Sequence, residues 1–405
     1  MKTYRYLALL CALSLAVLLL ASSHPVSQGQ GIQNMNLRIL GPAHQQVDYI
    51  QREQTASPNV RTRLANIRKD IQARNRKFTV GYTTALDVPL EVLAGTRIPR
   101  SQPGLAARVN QRAERLMSID KAELGRVARV NPDILTSIKR NCSSSSGSWD
   151  WRKNGKVTSV KSQICGTCWD FTAMGAYEGS YAIRNNSMID ASEQHILNCA
   201  NAGDCSGGWW MPVFDYMIST GTATEAAHPF NGNDSASCPT NHATPYRASA
   251  WGFVASDYTT IPAVASTKAA LCEHGPLAIA LMADGPFQAY TGGVFDESDQ
   301  KFDWINHGVT LIGWDDSKGA WLIKNSWGPG WGETGGFGSE KGYMWIAYNS
   351  NNVGVATAWV DASYKFFKLP TEWFKVLEVE KFKVKPLPEP DPIMVRPVPV
   401  PRPRP

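Results

Sequence analysis

The chain has no block of like charge. Its 405 residues carry 41 Lys and Arg against 35 Asp and Glu, a formal net charge of +6, and the basic residues come singly or in short groups. Without a basic stripe the counter-ion release that drives nucleic-acid binding has no source, so no nucleic-acid partner is expected. Cys165-Gly166-Thr167-Cys168 has no second Cys pair, and no His ligands at metal spacing, to complete a zinc site. No metal and no cofactor is therefore expected. No repeat of structural length is found, which excludes a solenoid or propeller. The apolar run Tyr6 to Ala21 is short for a membrane-spanning helix.

What is present begins with an export signal. Lys2 and Arg5 precede that run, and Ala21-Ser22-Ser23 offers small residues for cleavage, so residues 1–23 read as a signal peptide. The other reading is an uncleaved anchor. A signal implies a secreted protein, extracellular or periplasmic, with a lysosome or vacuole as the alternative in a eukaryote. Of the eight cysteines, Cys11 leaves with the signal. The odd number remaining in an exported chain predicts three disulfides and one free thiol.

A hydrophobic content of 43% and an aromatic content of 10% can fill a core. Leu64, Ile67 and Ile71 fall at helical spacing among charges, predicting an amphipathic helix over residues 61–75 that docks on another surface. Phe78 to Tyr82 reads as a short strand. Asp87 to Glu91 starts a helix, with Pro89 just inside it. A basic stretch over 97–108 is expected to be exposed, followed by a helix over 109–117. The Ser-rich residues 141–148 read as a linker. Beyond Trp149 the chain becomes rich in Trp, Gly and Cys, helical first and strand-like later, which suggests an α+β pair of subdomains with a cleft between them. Phe374 to Lys385 nearly alternates apolar with charged and suits an edge strand. Residues 386–405 are proline-rich and can only be extended.

Three stretches carry chemistry. Cys168 opens a helix-like run ending near Asn185, where the positive end of the helix dipole favours a thiolate. A Cys-x-x-Cys pair alone also fits a redox dithiol or half a zinc site. His307, in Trp304 to Trp314, is a candidate base, or else a satisfied core histidine. Asn325, in Leu322 to Gly328, can accept the imidazole N–H and fix its tautomer, or simply make a turn. A cysteine hydrolase needs such a base, a group that orients it, and donors for the oxyanion.

Together with Trp149-Asp150-Trp151-Arg152, Ser192-Glu193-Gln194, Cys205-Ser206-Gly207-Gly208 and Gly330-Trp331-Gly332, these stretches resemble the papain family of cysteine peptidases over residues 149–360. The resemblance implies a two-subdomain fold, a helical left half and a β-barrel-like right half with the site between them. It implies Cys168 as nucleophile, His307 as acid/base, Asn325 as its orienter, Trp327 as a shield over that bond, and Gln163 as oxyanion donor. Gly207 and Gly208 would pair with substrate backbone. Trp209 and Trp210 would wall the pocket for the second residue before the scissile bond, or pack in the helix that follows. Ala280 and Gly308 would lie deeper, and a bulky apolar substrate side chain would fit. The resemblance also implies Cys165–Cys205 and Cys199–Cys238. Cys142 and Cys272, without counterparts, are paired by elimination.

Four parts are therefore expected: signal peptide 1–23, inhibitory propeptide 24–141, catalytic domain 142–362 and Pro-rich extension 363–405. The resemblance of the propeptide to a cathepsin prodomain rests on Leu64, Ile71, Asn75, Phe78 to Gly81 and Asp87. Expected partners are protein or peptide substrates and the propeptide itself, in a monomer. The expected activity is a secreted endopeptidase made as a zymogen; the alternative is a dead homologue that binds peptides. Two departures stand out. Gln163 is one residue closer to Cys165 than in papain, and Asp170 follows Trp169 where a small residue is usual. Asp170 is expected to point away from the thiol and be tolerated.

Overall fold

One helix, Cys168–Asn185, forms the spine of the molecule. Nearly all of its side chains are buried. Apolar and small residues all round it suit a helix with no solvent face. It stops at Asn186, whose φ of 46° is left-handed. The computed structural model to which this helix belongs describes residues 47–99, 102–132, 141–297 and 305–365. The expected signal peptide, the Pro-rich tail and the suggested strand at 374–385 lie outside the described residues.

The strands in chain order are β1 (Phe78–Val80), β2 (Ser148–Asp150), β3 (Gly203–Asp204), β4 (Gly207–Gly208), β5 (Ala248–Phe253) and β6 (Leu277–Leu281). Then follow β7 (Tyr290–Phe295), β8 (His307–Asp315), β9 (Ala320–Lys324), β10 (Tyr343–Ala347) and β11 (Val355–Ala362). One sheet runs β1-β7-β10-β9-β8-β6-β11-β5, with β2 also pairing β8. Its pairs are antiparallel except β7 with β10. β8 is buried along nearly its whole length and reads as an apolar run rather than an alternation. The spine helix packs on β8 and β11, and helices Glu193–Cys199 and Trp210–Ser219 pack on the spine. This is the mixed two-subdomain arrangement expected, with Cys168 and His307 at facing starts of helix and strand.

The spine lies flush on the sheet because it presents glycine there. A Cβ on Gly175 would stand 2.4 Å from Thr310 Oγ1, and one on Gly179 would stand 2.4 Å from the Pro276 ring. Three disulfides close around this body: Cys142–Cys272, Cys165–Cys205 and Cys199–Cys238. Cys168 is a free, buried thiol.

Upstream, the stripe Leu64, Ile67 and Ile71 lies on helix Pro58–Ala73 and docks on the core, Leu64 completely buried. β1 adds to the sheet beside β7. Pro89 stands at the N-cap of helix Leu90–Leu93 rather than inside it. Two expectations are corrected. The helix placed at 109–117 runs from Leu105 to Val130, and the stretch expected to be exposed includes buried Leu105 and Ala106. Its inner face carries Ala106, Ala113, Arg112 and Asp120 beside Leu105, Val109 and Leu116. Small and charged residues at core positions blur the apolar period. β11 was also unforeseen; Ala356, Ala358 and Ala362 give it weak strand propensity.

Gly175→Ala is expected to lower unfolding stability by about 1–3 kcal/mol, the usual range for overpacking a tight contact. Urea denaturation of the purified chain measures this; an unchanged midpoint would show that the helix can shift at no cost.

Candidate active site

Cys168 is the first residue of the spine helix, where N–H groups have no intrahelical acceptor. Its sulfur is fully buried and surrounded by donors. The Gly95 N–H lies at 3.2 Å and the Thr96 hydroxyl at 3.1 Å. The amides of Trp169 and of Gly308, the residue after His307, also bond to it. Helix start and β8 start therefore meet at this one atom.

His307 pairs with Leu281 across the sheet and is itself fully buried. Its Nε2 lies 2.8 Å from Asn325 Oδ1. An amide oxygen only accepts, so Nε2 carries the proton and Nδ1 keeps its lone pair. Nδ1 has no hydrogen-bond partner among the described residues. Asn325 is held in turn, because its Oδ1 also accepts the Ser326 N–H at 2.8 Å. Trp327 lies over the imidazole with ring centroids 4.6 Å apart and is nearly inaccessible, and Phe287 meets both rings edge-on. These rings keep water off the His307–Asn325 bond.

Gln163 is buried beside them. Its Oε1 accepts from Ser326 Oγ at 2.7 Å, which turns Nε2 toward the carbonyls of Leu93 at 2.8 Å and Cys165 at 2.7 Å. The tighter loop after Gln163 thus leaves its amide a donor to an oxygen laid over the site.

That oxygen belongs to a segment, Leu93–Arg97, that fills the groove. Gly208 donates to Gly95 O at 2.9 Å and accepts from Arg97 N–H at 2.8 Å. One residue bonded to both neighbours of Thr96 is the parallel pattern. Thr96 N–H donates to Asn306 O at 2.8 Å. The groups presented to the sulfur are thus an amide N–H and a hydroxyl. Sequence reasoning did not single out Gly95 or Thr96. The usable signal was the glycine: a Cβ on Gly95 would sit 1.9 Å from Gly166 O, so no other residue passes there.

Burial sets the protonation of this covered state. It pushes the Cys168 thiol up, and the hydrogen bonds from Thr96, Gly308, Gly95 and Trp169 only partly offset it. Burial pushes His307 down to about 4, against the Asn325 bond. Both groups are neutral near pH 7. The helix dipole, expected to favour a thiolate, is outweighed while the groove is filled.

Asp170 is fully buried, and neither carboxylate oxygen has a hydrogen-bond partner among the described residues. Burial, then the charge of Glu193, push it well above the usual carboxylate range, with Lys161 opposing. Burial thus works against a negative charge at Asp170, two residues from the Cys168 thiol.

Of the expected pocket wall, Trp209 is buried in an aromatic group. It stacks on Trp210 at 6.0 Å and lies 5.3 Å from Tyr258 and 5.9 Å from Phe253. Gly308 pairs with Ala280 in the sheet, and a Cβ on it would meet Thr172, Thr96 and Trp210 within 3.2 Å. Thr96 and Trp210 therefore converge on Gly308. Elsewhere His195, Cys199 and Cys238 lie close together, but both sulfurs are joined in a disulfide and offer no thiolate to a metal.

A family model described as papain family cysteine protease matches residues 145–362. The chain belongs to the papain family. A cathepsin L-like protein of Caenorhabditis elegans is 38% identical over 221 residues, which is 51% of this chain and 61% of that protein. Digestive cysteine proteinase 2 of Homarus americanus is 33% identical over 226 residues, 53% of this chain and 65% of that protein. The chain thus spans somewhat under two thirds of the length of these relatives. Procathepsin L 3 of the Tenebrio molitor larval midgut shares the fold, with a TM-score of 0.56 at 22% identity, over 83% of this papain-family chain and 99% of that structure.

Gly95→Val removes the close approach to Gly166 and is expected to speed alkylation of Cys168 in the intact chain at pH 7 by roughly tenfold or more, the equivalent of about 1–3 kcal/mol of overpacking. Timed iodoacetamide labelling with mass detection measures it; an unchanged rate would mean that the segment does not cover the sulfur in solution.

Proposed function

We propose that this papain-family chain is an exported cysteine endopeptidase made as a zymogen, with residues 24–141 including the inhibitory segment and 142–362 the catalytic domain. The observation that carries the reading is the His307–Asn325 bond of 2.8 Å beside a free Cys168 thiol. It fixes the proton on Nε2 and leaves Nδ1 open as a base.

Once the groove is cleared, Cys168 passes its proton to His307 and attacks a substrate carbonyl carbon. The oxyanion takes the Gln163 amide vacated by Leu93 O and the first free N–H of the spine helix. His307 returns the proton to the leaving amine, a thioester remains, and water, deprotonated by His307, releases the acid. Gly207 and Gly208 then pair with substrate in place of Gly95 and Arg97. A bulky apolar side chain takes the space near Gly308, Ala280 and Trp210 that Thr96 now enters. Substrates are proteins or peptides, the enzyme acts as a monomer, and the export signal directs it to a secreted or lysosomal compartment.

The covering segment supports the zymogen reading on directional grounds. It offers the sulfur an N–H and a hydroxyl, neither of which is a carbonyl carbon that the thiol can attack. It also holds the Gln163 amide on the carbonyl oxygen of Leu93.

In the activated enzyme, Cys168→Ala is expected to abolish hydrolysis of a peptide substrate and labelling by a peptidyl epoxide. Asn325→Ala should lower kcat/KM about 10- to 100-fold, the range for one hydrogen bond to a group that becomes charged. Turnover surviving in the alanine variant at 168, or epoxide failing to react with the cleared native chain, would leave the peptide-binding homologue as the reading.

Acid should open the groove. Covered His307 titrates near 4 and freed imidazole near 6.5. The open form binds the extra proton between those values, so the covered state weakens as pH falls from about 6.5 to 4, by on the order of 3 kcal/mol in full. Deuterium uptake at the Thr96 and Arg97 amides of the Cys168→Ala chain, which bond Asn306 O and Gly208 O, should rise over that window after correction for intrinsic exchange. Protection holding down to pH 4 would contradict the coupling.

A further inference from the structure

We infer that helix Leu105–Val130 is a permanent part of the catalytic unit, retained after the groove is cleared, and that Asn110 on it is a positioning residue for the substrate-pocket wall. The inference rests on the function proposed above and moves the functional boundary of the mature unit upstream of residue 142.

The contacts with the groove end at Arg97, and the helix begins eight residues later on another face. It covers β5, the last strand of the sheet, whose outer side would otherwise be an open edge. Asn110 caps that edge as a neighbouring strand would. Its Nδ2 donates to Phe253 O at 3.0 Å and its Oδ1 accepts the Phe253 N–H at 2.8 Å. The fit is close, since a Cβ on Gly252 would lie 2.9 Å from Asn110 Oδ1.

Ion pairing separates this helix from the segment before it. In residues 47–99, Arg52–Asp87, Arg68–Glu53 and Arg74–Asp70 close within the segment. Those three pairs leave with the segment; its other charges that face the body, Arg63 toward Asp284 and Arg74 and Arg76 toward Glu297, meet acids outside the helix. The helix reaches across instead. Arg112 pairs with Asp215, which also accepts Trp251 Nε1 at 2.7 Å. Asp120 pairs with Arg184, which also bonds Asp361 on β11 at 3.2 Å. Arg112, Asp120 and Arg184 are buried. Lifting the helix would take a buried partner from each pair and uncover Leu105, Val109 and Leu116, a combination that destabilises the body it leaves.

The link to specificity runs through Phe253. Its backbone is held by Asn110, and its ring and that of Tyr258 back Trp209. Asn110 touches no substrate and acts through this stack.

The test has two arms. First, the full-length Cys168→Ala chain, which cannot cut itself, is nicked with a trace of a broad-specificity protease and the folded core is isolated by size exclusion. Mass analysis is expected to find residues 105–130 in that core, either in the chain or as a bound fragment. A folded core lacking them overturns retention, whether or not the native chain proves to be a peptidase. Second, Asn110→Ala in the active enzyme should raise KM about two- to tenfold for substrates with a bulky apolar side chain two residues before the cut. Substrates with glycine there should change less. An equal change for both kinds of substrate, or none, overturns the positioning role. Should that variant not fold, Asn110→Asp, which keeps the acceptor for Phe253 N–H and loses the donor, takes its place with the same expected split.

Discussion

The site depends on how closely helix Cys168–Asn185 lies against the sheet. Gly175 meets Thr310 and Gly179 meets Pro276 at distances that admit no side chain. A helix held off by one methyl group would carry its first residue away from the first residue of β8. Because it is not held off, a sulfur at a helix start, an imidazole at a strand start and an amide in the next strand turn share one buried volume. The core packing and the chemistry are the same contact seen at two ends.

That buried volume explains why one set of residues can be silent or active. Charge separation between thiol and imidazole needs water or substrate dipoles to support it. With Leu93–Arg97 in place the sulfur is fully buried and both groups are neutral. The segment therefore does more than obstruct. It lowers the polarity around the dyad and occupies the Gln163 amide, so on the proposed mechanism two requirements of the reaction are removed by the same four peptide groups.

Much of this was legible in the residues. Cys168, His307, Asn325 and Trp327 stood in motifs whose order was distinctive; the structure sets His307 on Asn325 beneath Trp327, and the amide of Gly308 on the Cys168 sulfur. The end of the helix that carries Cys168 was placed closely, because a stop such as Asn186 acts locally. The long helix was cut short because its inner face uses Arg112 and Asp120, whose partners lie far away in sequence. The upward push on the Asp170 carboxyl was illegible for a similar reason. Its environment is made by Glu193, Lys161 and Glu225, and no local rule places an acid near those groups.

β1 has a bearing on the mature form proposed above. It is the only neighbour of β7 on that side in the described sheet, pairing Phe78 with Gly293 and Val80 with Tyr290. On the proposed maturation, departure of residues 47–99 would leave β7 an unpaired margin of amides and carbonyls rich in glycine and free of charge along Tyr290–Phe295. Unmasking the groove in that way would create an adhesive border some way from it. Solubility of the processed form at high concentration then rests on how that border is kept from meeting its own copy.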